Sequence, residues 1–94
     1  MEEKKLFEQI HEEAIVVDGT TPLGFNEDYY KQWVQGGATV MAPSIAIDHN
    51  TYDTVNRIAY WLKKIETTDE LLLVSSVKDI FEAKKTGKLG NLFH

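Results

Sequence analysis

The chain has 94 residues and a net charge of −5, which argues against nucleic-acid binding by release of counterions from a phosphate backbone. Hydrophobic residues at 43% and charged residues at 27% are the proportions of a soluble globular chain, so disorder is not expected. The absence of cysteine excludes disulfides and thiolate metal sites.

Met1 to Lys5 mixes acidic and basic residues and lacks the apolar core of a signal peptide. No apolar run approaches membrane-spanning length, so the expectation is a cytoplasmic chain without leader or anchor and with no membrane partner. Glu2 to Glu13 is polar, with Leu6, Phe7 and Ile10 at helical spacing, which predicts a short helix laid on the body of the protein. Ala14 to Asp18 (AIVVD) predicts a strand buried on both faces, of the parallel-sheet kind. Gly19 to Phe25 predicts a loop. Asn26 is placed to cap the next helix, with Glu27 and Asp28 in its first turn, Tyr30, Trp33 and Val34 on its apolar face, and Gly36-Gly37 at its end.

Ala38 to Ala42 predicts a second buried strand, closed by Pro43. Asn50 or Thr51 opens the longest helix, in which Val55, Ile58, Ala59, Leu62 and Ile65 form an amphipathic stripe. Tyr60 and Trp61 fall beside that stripe, as aromatics able to cover a neighbour or to make a sticky surface. Leu71 to Val74 predicts a short strand, and Ser76 with Asp79 resembles a capping box ahead of a helix with Val77, Ile80 and Phe81 inside and Gly87 as its C-cap. Leu89 to Phe93 begins a further strand. The basic cluster Lys84, Lys85 and Lys88 sits at a helix end, where cations suit the macrodipole.

This alternation predicts an α/β fold with parallel strands and right-handed crossovers, as a single unit over 1–94. A closed (β/α) barrel takes roughly 250 residues, so this length supplies about three to four of its eight strands. The ending at His94, just inside a buried-type strand, reads as interrupted.

Three segments carry a family resemblance: His11 to Gly19 (HEEAIVVDG), Trp33 to Gly37 (WVQGG), and Ser76 to Lys88 (SVKDIFEAKKTGK). In that order they resemble the opening of the membrane (renal) dipeptidase family. The resemblance implies an incomplete (β/α) TIM-type barrel of the amidohydrolase kind. Typical members are hydrolases that use two zinc ions bridged by a carboxylate to cleave dipeptides and related amides, a metal-bound water serving as nucleophile near neutral pH. The family's first two ligands are the His and Asp of a D-G-H-x-D motif at the end of the first strand. Thr20 and Pro22 occupy those positions here, a weak neutral hydroxyl and a residue with no side-chain donor. The family's remaining ligands come from later strands. The expectation is therefore a chain with no metal site or cofactor of its own, inactive as an isolated peptidase.

The other polar candidates are modest. His11 lacks the second histidine of a zincin helix, since Ile15 stands there, and reads as a surface residue. Asp18 reads as an acceptor for the amides of the Gly-Thr-Thr turn. Asp48 and His49 directly precede Asn50 at a helix start, where capping explains them. Asp18, Thr20, Asp48 and His49 are thus the candidates for a polar site at the strand ends, and nothing in the sequence supports a role for His94. Parallel strands cut from a barrel leave open edges, which predicts a homo-oligomer or a partner chain completing the sheet. The alternative to a hydrolase piece is a non-catalytic α/β module that works by self-association or partner binding.

Overall fold

Eight elements alternate along the chain in a computed structural model that describes residues 5–21, 29–46 and 49–94. They are α1 (Leu6–Glu13), β1 (Val17–Thr21), α2 (Tyr30–Gln35), β2 (Val40–Pro43), α3 (Thr51–Thr67), β3 (Leu71–Leu73), α4 (Val77–Thr86) and β4 (Leu89–Asn91). The strands form one open sheet in the order β1-β2-β4-β3, and every pairing is parallel. The expected α/β architecture is present. The last strand in sequence is inserted between β2 and β3, so the two never pair directly.

All three residues of β4 are buried, and two of them explain its central place. A Cβ on Gly90 would lie 2.7 Å from Val74 Cγ2 and 3.1 Å from Val40 Cγ2, so only glycine lets both branched side chains close over the strand. Asn91 is fully buried and fully engaged. Its Oδ1 accepts from the Trp61 indole at 3.3 Å, and its Nδ2 donates to Leu89 O at 3.0 Å and Leu72 O at 3.4 Å. No buried side-chain polar atom lacks a partner among the described residues. Around this amide lies the core of Tyr30, Met41, Trp61, Ile65, Leu71 and Leu89. Lys64 spans its rim, with the ammonium 5.3 Å from the Tyr30 ring and 5.2 Å from the Trp61 ring, a cation–π bridge between α2 and α3.

The strand expected at Ala14–Asp18 begins later, at Val17, and runs on through Gly19 into what reads as loop. It is not buried on both faces: Ile15 and Val17 are 39% and 51% exposed. The reason is its position at the sheet edge, with a strand on one side only. Pairing starts at Val16, whose amide donates to Thr39 Oγ1 at 3.0 Å and whose carbonyl accepts from Thr39 N and Val40 N. The neighbouring β2 is buried throughout and extends to include Pro43.

Asn50 caps α3 as expected, accepting from Asp53 N at 2.8 Å. The helix is rotated from the expected stripe, however. Trp61 and Ile65 are buried and Ile58 is half-buried, whereas Val55, Ala59, Tyr60 and Leu62 face outward. Trp61 has the largest buried side chain and its N–H must meet Asn91, so its burial sets the rotation. In α4 the buried residue is Ala83, while Val77 and Phe81, expected inside, are exposed. A methyl side chain there lets the helix approach β4. The left-handed cap at Gly87, φ 75°, is as expected.

The first helix, α1, is the short surface helix expected, and it has no buried residue. Leu6, Phe7 and Ile10 are exposed. Polar ties hold its C-terminal end: His11 Nε2 donates to Gly36 O at 2.6 Å, and Lys84 Nζ donates to Glu12 O. The approach of His11 needs a glycine at position 37, because a Cβ there would lie 2.8 Å from Nε2 and φ is +79°. Asn26 and its expected cap lie outside the described residues.

The capping box at α4 takes a variant form. Asp79 Oδ2 accepts from Ser75 N at 2.9 Å, from Ser75 Oγ at 3.1 Å and from Ser76 Oγ at 3.3 Å. The carboxylate thus reaches one residue beyond the expected partner. These bonds, the Ser75 amide first, hold its pKa below the ordinary aspartate value.

Two outcomes follow for stability. Asn91→Ala removes the partner of the Trp61 N–H and leaves a void, and should cost about 2–4 kcal/mol in urea unfolding. A loss under about 1 kcal/mol would show that the amide is not the tie described. Asp79 has a lowered folded pKa, so its contribution is present above the unfolded carboxylate value and is lost as pH falls through the folded one. Thermal melts of wild type and Asp79→Asn should differ at neutral pH and converge in strong acid; a constant gap across that range would contradict the assignment.

Candidate functional site at the strand ends

Because all four strands run the same way, their C-terminal ends share one edge, the edge where open α/β sheets and barrels place their chemistry. Asp18 is in register with Met41, a core residue, so strand alternation places its carboxylate on the helix-covered face. There Oδ2 accepts from Trp33 Nε1 at 2.8 Å and Oδ1 from Thr20 N at 3.3 Å. The turn-acceptor reading is met by Thr20 N, and the indole of α2 is an added partner. Asp18 therefore ties β1 to α2.

Thr20 is exposed near the end of β1. Pro22 and Asp48 lie outside the described residues. His49 is exposed ahead of α3, in a cleft that it shares with Asp53, Asn56, Arg57 and Tyr60. Asp18 lines a different cleft, with Val16, Gln32, Trp33, Gly36 and Ala38. The structure thus does not bring Asp18 and His49 into one site.

A zinc pair does not fit this donor set. Thr20 offers a neutral hydroxyl, proline offers no side-chain donor, and the Asp18 carboxylate is turned to Trp33 and its own loop. Among the described residues, no three His, Cys, Asp or Glu side chains are grouped to hold a metal ion.

A contact that sequence reasoning missed joins the ends of β2 and β4. Ser44 Oγ lies 3.4 Å from His94 Nε2. The backbone beyond β4 stays beside β2, with Leu92 N donating to Met41 O at 2.9 Å, Ile45 N to His94 O at 2.9 Å and His94 N to Pro43 O at 3.5 Å. Arg57 Nε donates to Ile45 O at 2.6 Å and anchors the same turn from α3. Counting by twos along each strand, Ala42 to Ser44 and Gly90 to His94, was the available signal. It required knowing that β2 and β4 are neighbours.

At the opposite end of the sheet, a cleft of about 240 Å³ is lined by residues including His11, Thr39, Ala83, Lys84 and Leu89. The ends of α2 and α4 border it, and Lys84 answers a carbonyl of α1. Lys84 and Lys85 lie in the last turn of α4, the helix-end position expected for the lysine cluster.

No family model matches the chain, and no curated protein matches it. Among solved structures, it is similar to an amidohydrolase from Pseudomonas aeruginosa, with 30% identity and a TM-score of 0.83 over 92% of this chain and 27% of that one. The chain thus spans about a quarter of the length of that neighbour. With its four parallel strands in an open sheet, it has the fold of a portion of an amidohydrolase-type barrel.

Proposed function

We propose that this chain is a segment of a hydrolase descended from metal-dependent dipeptidases, in which the first-strand metal positions have been lost. The observation that carries the reading is the likeness to the amidohydrolase across 92% of the chain. The dipeptidase ancestry is supported by the three sequence segments ending at Gly19, Gly37 and Lys88. Loss of the site is supported by the chemistry of Thr20 and Pro22. On this reading the 94-residue chain has no peptidase activity and acts in the cytoplasm. Among the described residues, no helix is long and apolar enough to cross a membrane.

Association is the second part of the reading. Both β1 and β3 are edge strands, with Val17 and Leu73 partly exposed, and such edges recruit further strands. A second copy, or a chain that completes the sheet, is the partner proposed.

The test is to purify the chain without chelator, then measure bound zinc by mass spectrometry and dipeptide hydrolysis with and without chelator. Zinc far below one ion per chain and no chelator-sensitive hydrolysis are expected. Near-stoichiometric zinc with hydrolysis that chelator abolishes would overturn the loss of the site. Light scattering should report a mass above the monomer; a sharp monomer peak at high concentration would count against association.

A further inference from the structure

Ser44 and His94 follow the ends of the adjacent parallel strands β2 and β4, and we propose that they form a metal-independent acyl-transfer pair, Ser44 as nucleophile and His94 as its base, acting on small esters with a good leaving group. The proposal rests on reading this edge as the functional end of an amidohydrolase-type sheet, and needs no metal.

Three observations support it. The first is position. Val40 pairs with Gly90, and two-residue steps from there lead to Ser44 and His94 on the face opposite Met41 and Asn91. In a barrel that face is the interior, and its C-terminal rim is where reacting groups gather. The second is geometry. The hydroxyl and the imidazole nitrogen, 3.4 Å apart, sit slightly beyond the roughly 2.6–3.2 Å of a working nucleophile–base pair, a gap that such pairs close when substrate binds. The third is support. His94 sits on a β-ladder through Ile45 N and Pro43 O, and the guanidinium of Arg57 holds the Ile45 carbonyl. Both side chains are therefore placed by backbone rather than by a loose loop.

Burial assigns the roles. Ser44 is 9% exposed, so its hydroxyl is largely stripped of water and admits only a small acyl group. His94 is exposed and can exchange its proton with solvent. With the ring proton on Nδ1, Nε2 takes the hydroxyl proton as Ser44 Oγ bonds to the ester carbonyl carbon. The bond from that carbon to the leaving oxygen breaks, and the departing alcohol takes the proton from His94. Water then gives a proton to His94 and its oxygen bonds to the acyl carbon; the bond from that carbon to Ser44 Oγ breaks, the acid leaves, and His94 returns the proton to Ser44 Oγ.

The experiment incubates the 94-residue chain with p-nitrophenyl acetate, whose leaving group demands little stabilisation. Intact and peptide mass spectra, and nitrophenolate release, are followed with and without chelator. One acetyl group on Ser44 is expected, unaffected by chelator, so failure of the metal reading and of this one are separable. Ser44→Ala should lose that label. His94→Gln should slow acylation by about 100-fold or more. Urea midpoints of both variants close to wild type exclude unfolding as the cause. Acetyl groups found on lysines and not on Ser44, or an unchanged acylation rate in His94→Gln, would overturn the proposal; the first readout needs no variant.

Discussion

A single carboxamide, that of Asn91, constrains most of this fold. Once buried, an amide must have its donors and acceptor met, and leaving one unmet costs about 1–3 kcal/mol. Asn91 meets them in three directions: its own strand at Leu89, the neighbouring strand at Leu72, and the helix layer at Trp61. Each bond contributes little net energy. Their joint effect is on specificity, because a slip of β3 or a turn of α3 breaks one of them. The rotation of α3, with Trp61 inward and Val55 and Leu62 outward, is the visible result.

The same reasoning separates what was legible in the sequence from what was not. Local signals were readable because they act over a turn or less. Asn50 caps α3, Gly37 and Gly87 take the left-handed positions that end α2 and α4, and strands alternate with helices as the apolar runs suggest. Properties set by distant neighbours were not readable. AIVVD has the composition of a doubly buried strand, yet exposure depends on how many strands lie beside it, and β1 has one. The helix faces of α3 and α4 were misassigned for a similar reason. A hydrophobicity pattern cannot weigh an indole that needs a partner, or an alanine that lets a helix come close.

The candidate site divides along the same line. That Asp18 would accept a turn amide followed from its place before Gly-Thr-Thr, but its bond to Trp33 required the packing of α2 on β1. The contact of Ser44 with His94 spans 50 residues and depends on strand order. The weak donor chemistry of Thr20 and Pro22 was readable at once, since it lies in the side chains alone. The fold likeness and the proposed loss of the metal donors thus rest on separate observations. The first concerns backbone architecture, and the second concerns what that backbone now presents.

The strand order also has a kinetic meaning. Because β2 and β3 meet only through β4, the first three strands cannot join into one sheet until the last has been made. During synthesis β1 and β2 can pair early, but β3 and the inner face of α3 must wait, their apolar groups exposed, for residues 89–91. Closure of this sheet therefore waits for residues 89–91, the seam that joins β1 and β2 to β3.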